Sequence, residues 1–140
     1  MTRSLRFAFV APIVLALAAC GSGAEESANH EGEAIAAVPA PADTQWRDVA
    51  TETSEGGTLV GNPDAPLKLV EYGSLTCPTC ARFSVEGGEP LMEYVDSGRV
   101  SFELRQFAIH GPIDITLGRL TKCGAAELVI PLSDQVWANY

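Results

Sequence analysis

Hydrophobic and polar residues alternate in two stretches of the chain, 67–73 and 100–107. Such a pattern predicts a β-strand, because successive side chains of a strand point to opposite faces. Between these stretches, apolar residues recur at helical spacing from Cys80 to Val95, which predicts a helix. Strand, helix and strand in this order predict a βαβ unit with two parallel strands.

The predicted helix has a clear end and an irregular middle. Ser and Gly at 97–98 are typical of a helix C-terminus. The segment 87–90, GGEP, is expected to kink or split the helix, because proline removes a backbone donor and glycine is flexible. Before the βαβ unit, the turn-rich SEGG at 54–57 lies between alternating residues, which predicts a β-hairpin.

Two further helices are predicted after the second strand. Asp114 is expected to cap the first of them, and Pro131 is expected in the first turn of the second. Cys123 lies between these helices, where a buried, inert thiol is expected. A role for Cys123 as a second redox group or a metal ligand stays open.

The N-terminus has the features of a secretory signal peptide. In residues 1–19, two arginines precede an apolar run that is too short to span a bilayer. The last four residues up to Cys20, LAAC, resemble a bacterial lipobox, in which a lipid is attached to the cysteine and cleavage occurs before it. Residues 1–19 are therefore predicted to be a lipoprotein signal peptide, and the alternative is an ordinary signal peptide followed by a chance cysteine.

Residues 20–43 are rich in Glu, Pro, Ala, Gly and Ser and have no apolar period. Such a composition does not bury enough surface to offset the entropy of ordering, so a disordered linker is predicted. The folded domain is then predicted to span residues 44–140. The net charge of −9 makes nucleic acid an unsuitable partner.

The cysteines carry the candidate chemistry. Cys77 and Cys80 are one helical turn apart, where the first strand of the βαβ unit meets its helix. Cys77 is expected at or next to the helix N-cap, with Pro78 in the first turn. Free amide groups and the helix dipole stabilise a thiolate there, which predicts Cys77 as the nucleophile and Cys80 as the resolving thiol.

A metal site is the alternative use of this pair. Zinc would require two further ligands, and His110 and Cys123 are the candidates that the folded part offers. The spacing of these four residues is irregular for a structural zinc site. An exported metal-binding module therefore stays as a second hypothesis beside redox chemistry.

The segment 61–83, GNPDAPLKLVEYGSLTCPTCARF, resembles the DsbA-type thiol:disulfide oxidoreductases of the thioredoxin superfamily. The resemblance extends from about Trp46 to Cys123. It implies an α/β, thioredoxin-like fold with a helical insertion, of which this chain has the N-terminal βαβ half and part of the insertion. Glu71 matches the buried acid of the family, which implies that it relays the proton of Cys80.

The resemblance also implies a function and a location. Family members are enzymes that exchange disulfides with exported proteins, so the implied partners are periplasmic protein thiols and a membrane redox partner that resets the pair. No cofactor and no metal are implied. With Cys20 lipidated, the protein would be a membrane-anchored bacterial lipoprotein of the periplasm.

Two departures from the family pattern change these expectations. Pro78 and Thr79 stand between the cysteines, where Pro-His is commonest, so a histidine that helps to stabilise the thiolate is absent and the direction of electron flow stays open. Nothing after Cys123 matches the cis-proline loop, hairpin and last helix of the family. The chain is therefore expected to be truncated inside the insertion, with poor activity on protein substrates.

Overall fold

The structure is a computed structural model, and it describes residue 32 and residues 34–140. The strands in this part of the chain are β1 (Ala50–Glu52), β2 (Thr58–Gly61), β3 (Leu67–Gly73) and β4 (Val100–Gln106). The α-helices are α1 (Pro78–Asp96), α2 (Pro112–Thr121) and α3 (Val129–Ala138), and short 3-10 turns span Trp46–Asp48 and Ala126–Leu128. The predicted signal peptide and Cys20 lie outside the described residues.

The strands form one sheet in the order β1-β2-β4-β3. β1 and β2 pair antiparallel as a hairpin, and β2 pairs antiparallel with β4. β3 and β4 are parallel, with Leu67 opposite Val100 and Gly73 opposite Gln106. Because α1 connects β3 to β4, the predicted βαβ unit and the predicted hairpin are both confirmed.

The core lies where one face of the sheet packs against α1 and α3. Phe102 and Leu104 of β4 point into it and are almost fully buried. The remaining buried members of this cluster are Trp46, Val60, Leu75, Ala81, Val95, Ile130 and Trp137. On the other face of β4, the buried Glu103 is held by the guanidinium of Arg105 at 2.7 Å and by the hydroxyl of Thr53 at 2.7 Å. β4 is therefore covered on both faces.

Helix α1 runs without interruption from Pro78 to Asp96, so the helix is not split at 87–90, and the alternative of a kink there stays a prediction. Pro90 lies inside the helix, and the packing of the buried Val95 against the core outweighs the local preference of GGEP. The predicted end is confirmed: Ser97 is the C-cap and Gly98 has a φ of 72°. A side chain at Gly98 would collide with the carbonyl oxygen of Val38.

The helices after β4 differ from the sequence prediction in two places. α2 begins at Pro112 with Gly111 as N-cap, so Asp114 is a buried residue of the first turn and not the cap. Cys123 is exposed, and the prediction of a buried thiol is wrong, because it follows the end of α2 and its thiol donates to the carbonyl oxygen of Arg119. Pro131 lies in the first turn of α3, as predicted.

β3 is an edge strand of the sheet among the described residues. Leu67 and Leu69 on one face are 51% and 40% exposed, and Val70 and Tyr72 on the other face are 39% and 61% exposed. Strands with a parallel partner are normally buried on both faces. β3 therefore presents unpaired backbone groups together with apolar side chains.

Part of the predicted linker contacts the domain. The amide of Val38 donates to the carbonyl oxygen of Ser97 at 2.9 Å, and the indole of Trp46 donates to the carbonyl oxygen of Val38 at 2.8 Å. The domain boundary at residue 44 stays a prediction. None of the helices within residues 34–140 combines the length and the apolar character that crossing a bilayer requires.

Leu104→Ala should lower the free energy of unfolding by about 2–5 kcal/mol, because the wild-type side chain is fully buried and its removal leaves a cavity. Leu120→Ala is the matched control, since Leu120 is 59% exposed and should change that free energy by no more than about 0.5 kcal/mol. Chemical denaturation followed by tryptophan fluorescence measures both. Equal effects of the two substitutions would contradict the placement of the core.

Candidate active site

The site forms where β3 ends and α1 begins. After Gly73 the chain passes through 74–76 to Cys77, which is the N-cap of α1, and Pro78 is the first helical residue. The carbonyl oxygen of Ser74 accepts hydrogen bonds from the amide of Cys77 at 3.2 Å and from the indole of Trp137 at 3.0 Å. The predicted placement of Cys77 at the helix N-terminus is confirmed.

Cys77 lies where hydrogen-bond donors converge. The donors that favour its thiolate are the backbone N–H and the thiol of Cys80, and then the backbone N–H and hydroxyl of Thr79. Together they lower the pKa of Cys77, against a smaller opposing effect of burial. Thr79 thus contributes a hydroxyl donor where the family commonly has histidine.

Cys80 lies one turn further into α1, and it is a free thiol like Cys77. Burial raises the pKa of Cys80, and the nearby charges of Cys77 and Glu71 raise it further. A hydrogen bond from the backbone N–H of Ser74 opposes this effect. The two thiols of the pair are therefore shifted in opposite directions.

Glu71 is half-buried on the core-facing side of β3. Burial raises the pKa of Glu71 to about 7, and the negative charge of Asp134 acts in the same direction. Asp134 lies on α3, where it accepts a hydrogen bond of 2.7 Å from the hydroxyl of Ser84, and burial raises its pKa too. Glu71 and Asp134 therefore form a pair of carboxyl groups in a region of low polarity.

A cavity of about 280 Å³ separates β3 from α1 and α3. Its lining includes the carboxyl groups of Glu71, Asp134 and Glu89 among mostly apolar side chains, and no lysine or arginine. An open groove on the exposed edge of β3 brings Glu71 and Tyr72 next to Cys80 and Phe83. Glu71 is thus the titratable group that lines both the cavity and the groove of the resolving thiol.

The position of the Glu71 carboxyl group beside the core depends on Gly73, the residue that ends β3. A side-chain carbon at Gly73 would lie 3.2 Å from a carboxylate oxygen of Glu71 and 2.9 Å from a methyl group of Leu104. Glycine therefore leaves room for the carboxyl group beside the core.

Sequence reasoning missed a second polar cluster behind the cysteines. The carboxylate of Asp114 accepts hydrogen bonds from the hydroxyl of Ser74 at 2.9 Å, from the hydroxyl and amide of Thr76 at 2.8 and 3.1 Å, and from the amide of His110 at 2.8 Å. The ring Nδ1 of His110 lies 2.7 Å from the hydroxyl of Thr76. The one available signal was an acidic residue near a helix start, which predicts a cap and not a long-range contact.

The alternative metal site lacks a ligand set. Within residues 34–140, no group of three His, Cys, Asp or Glu side chains could hold a metal ion. His110 precedes α2 and Cys123 follows it, so the 10-residue helix, about 15 Å long, separates them. The hypothesis that His110 and Cys123 complete a site with the cysteine pair is therefore wrong.

Comparison with known proteins identifies the class to which this fold and site belong. A thioredoxin family model matches residues 53–133, more than half of the chain. The chain therefore belongs to the thioredoxin family.

Similar proteins place the chain in the DsbA-like branch of the thioredoxin superfamily. A protein-disulfide isomerase from Novosphingobium aromaticivorans is 36% identical with a TM-score of 0.55, and the match covers 59% of this chain and 42% of that structure. Alpha-DsbA1 of Wolbachia pipientis is 28% identical with a TM-score of 0.53, over 56% and 40% of the two chains. Disulfide bond formation protein D of Bacillus subtilis is 31% identical over 58 residues, which are 41% of this chain and 26% of the relative. The chain spans less than half the length of each of these proteins.

Glu71→Gln should stabilise the protein by about 1–2 kcal/mol at pH 8, a range that allows for the solvent exposure of the side chain. The pKa of Glu71 is raised from 4.5 to about 7 on folding, so the folded state binds more protons and loses stability as the pH rises through this window. Glutamine does not titrate, so the difference should be small at pH 4.5 and complete above pH 7. Denaturation curves from pH 4 to 8 measure it.

The control for this experiment is Glu86→Gln, which changes an exposed glutamate of α1. Because this side chain is exposed, its substitution should change the free energy of unfolding by no more than about 0.5 kcal/mol. A pH-independent difference between wild type and Glu71→Gln would contradict the raised pKa of Glu71.

Proposed function

We propose that this chain is the redox-active part of an enzyme that exchanges thiols and disulfides with exported proteins through Cys77 and Cys80. The observation that carries the proposal is the position of two thiols one helical turn apart, with Cys77 at the N-cap of α1 and Cys80 in its first turn. Hydrogen bonding lowers the pKa of Cys77 and burial raises the pKa of Cys80, which agrees with this position. The thiolate at the helix start attacks a substrate disulfide, or its sulfur is attacked by a substrate thiolate. The thiol one turn further into the helix resolves the mixed disulfide.

In the oxidising direction, a substrate thiolate attacks the sulfur of Cys77 in the Cys77–Cys80 disulfide. The disulfide breaks, a mixed disulfide joins the substrate to Cys77, and Cys80 leaves as a thiolate. A second substrate thiolate then attacks the substrate sulfur of the mixed disulfide, which forms the substrate disulfide and releases Cys77 as a thiolate. Two electrons pass from the substrate to the pair, and the reverse sequence reduces a substrate disulfide.

Glu71 supplies and receives the proton of Cys80 in this cycle. A carboxyl group with a pKa of about 7 is present in both protonation states near neutral pH, as a proton relay requires. Its position beside Cys80 in the groove of β3 supports the assignment. When Cys80 leaves as a thiolate it takes the proton from Glu71, and when Cys80 attacks the mixed disulfide it returns that proton.

The partners follow from the proposed chemistry and from the sequence. The exported substrates carry cysteine thiols or disulfides, and a membrane redox partner accepts or supplies the two electrons that reset the pair. The predicted signal peptide of residues 1–19 and the lipobox-like sequence ending at Cys20 support export to the periplasm and anchoring by lipid. The name of the B. subtilis relative, disulfide bond formation protein D, supports the oxidising direction, and the name of the N. aromaticivorans structure, a protein-disulfide isomerase, supports isomerisation.

Cys80→Ser should accumulate mixed disulfides between Cys77 and an unfolded test protein whose cysteine is held in a disulfide with an aromatic thiol, because the Cys77 thiolate displaces that thiol and no resolving thiol remains. Cys77→Ser should form none. Cys123→Ser is the control: this exposed thiol lies outside the pair, so its removal should leave exchange unchanged. Non-reducing gels with mass spectrometry of the linked peptides identify the cysteine, and mixed disulfides that form mainly through Cys80 or Cys123 would contradict the proposal.

Cys20→Ser should abolish incorporation of labelled fatty acid and leave the preprotein unprocessed or released, because the thioether lipid forms on this sulfur. The comparison is wild type expressed with its own signal peptide in a bacterial host. Wild-type protein that is processed, unlabelled and free in the periplasm would contradict the lipid anchor.

A further inference from the structure

The buried carboxylate of Asp114 connects the helical insertion to the turn that carries the cysteines. Asp114 is 4% exposed, and its hydrogen-bond donors come from Ser74 and Thr76 in that turn and from His110 in the loop before α2. A buried carboxylate that accepts several hydrogen bonds is held tightly, since each lost bond would leave a charge unsatisfied.

The residues that Asp114 holds are the ones that position both sulfurs. Thr76 immediately precedes the N-cap Cys77. The carbonyl oxygen of Ser74 accepts a hydrogen bond from the amide of Cys77. The backbone N–H of Ser74 favours the thiolate of Cys80 and lowers the pKa of that thiol. A small movement of this turn therefore changes the donors around both thiols.

The charge of Asp114 survives burial. Burial alone would raise the pKa of Asp114, but the hydrogen bonds from His110, Thr76 and Ser74 outweigh it, so the pKa lies below its usual range. The Nδ1 atom of His110 lies 4.0 Å from the carboxylate of Asp114. Arg119 of α2 and Lys122, the C-cap of α2, line a groove together with Asp114. Asp114 therefore accepts hydrogen bonds as an anion at neutral pH.

We propose that Asp114 is a positioning residue for disulfide exchange: through Ser74 and Thr76, its carboxylate fixes the turn that presents Cys77 and Cys80. The inference rests on the proposed function for its biological meaning, but its physical content is the reactivity of the Cys77 sulfur in the folded protein. Asp114 touches neither sulfur and takes no part in the transfer of electrons. The helical insertion thereby has a direct part in setting the active site.

The test compares the alkylation of Cys77 by iodoacetamide in variants of the full chain that also carry Cys80→Ser and Cys123→Ser. Asp114→Asn keeps the shape of the side chain but removes its charge and one acceptor, and it should slow alkylation at pH 7 about tenfold and move the pH profile of Cys77 upward. Thr76→Val removes one donor to Asp114 and should act in the same direction. Thr76→Ser keeps the hydroxyl and should restore the wild-type rate and profile.

Thr116→Val is the matched control on the same helix. The hydroxyl of Thr116 donates to the carbonyl oxygen of Pro112 at 2.8 Å and is exposed, so its loss should leave the alkylation of Cys77 unchanged. Denaturation midpoints for every variant separate a change in stability from a change in reactivity.

If Asp114→Asn lowers stability but leaves the rate and pH profile of folded Cys77 unchanged, Asp114 is only a structural residue and the inference is wrong. If Asp114→Asn does not fold, Thr76→Val and Thr76→Ser decide: equal profiles overturn the inference, and a rescue by serine supports it. Small-reagent alkylation needs no protein substrate. A Cys80→Ser variant that forms no mixed disulfide through Cys77 with an activated thiol, while Asp114→Asn still alters the alkylation of Cys77, would therefore overturn the proposed function and leave this inference standing.

Discussion

The parallel pairing of β3 with β4 is the constraint on which the site depends. Its register fixes Gly73 opposite Gln106, so the chain must turn within 74–76 before α1 can begin. That turn makes Cys77 the N-cap and exposes its sulfur to the free amide groups of the helix start. The chemistry of the nucleophile is thus a consequence of where a strand ends.

The second constraint is the low polarity beneath the helix start. Glu71 and Asp134 line the cavity between β3, α1 and α3, and Cys80 lies beside it. No lysine or arginine is among the lining residues of this cavity. Burial favours the neutral form of each group. Hydrogen bonds lower the pKa of the thiol at the helix start, and burial raises the pKa of the thiol one turn further in. This difference between two identical side chains distinguishes the attacking thiol from the resolving one.

The features that the sequence predicts correctly are local. Alternation identifies β3 and β4, and a cysteine followed by proline at the strand end identifies the helix start. The missed features depend on tertiary contacts: Asp114 meets Ser74 forty residues away, and α1 continues through Pro90 because its packing outweighs local propensity. The exposure of Cys123 was not predicted for the same reason. Whether a side chain is buried depends on tertiary contacts, and the spacing of nearby apolar residues does not show these contacts.

The most direct test of the account is a site-resolved titration of the two thiols in the reduced wild-type protein. Pulse alkylation from pH 4 to 11, followed by mass spectrometry of the separate cysteine peptides, gives an apparent pKa for each thiol. The account predicts that Cys77 titrates below a free cysteine, near 8.5, and that Cys80 titrates above it. Equal values for the two thiols, or a lower value for Cys80, would contradict it.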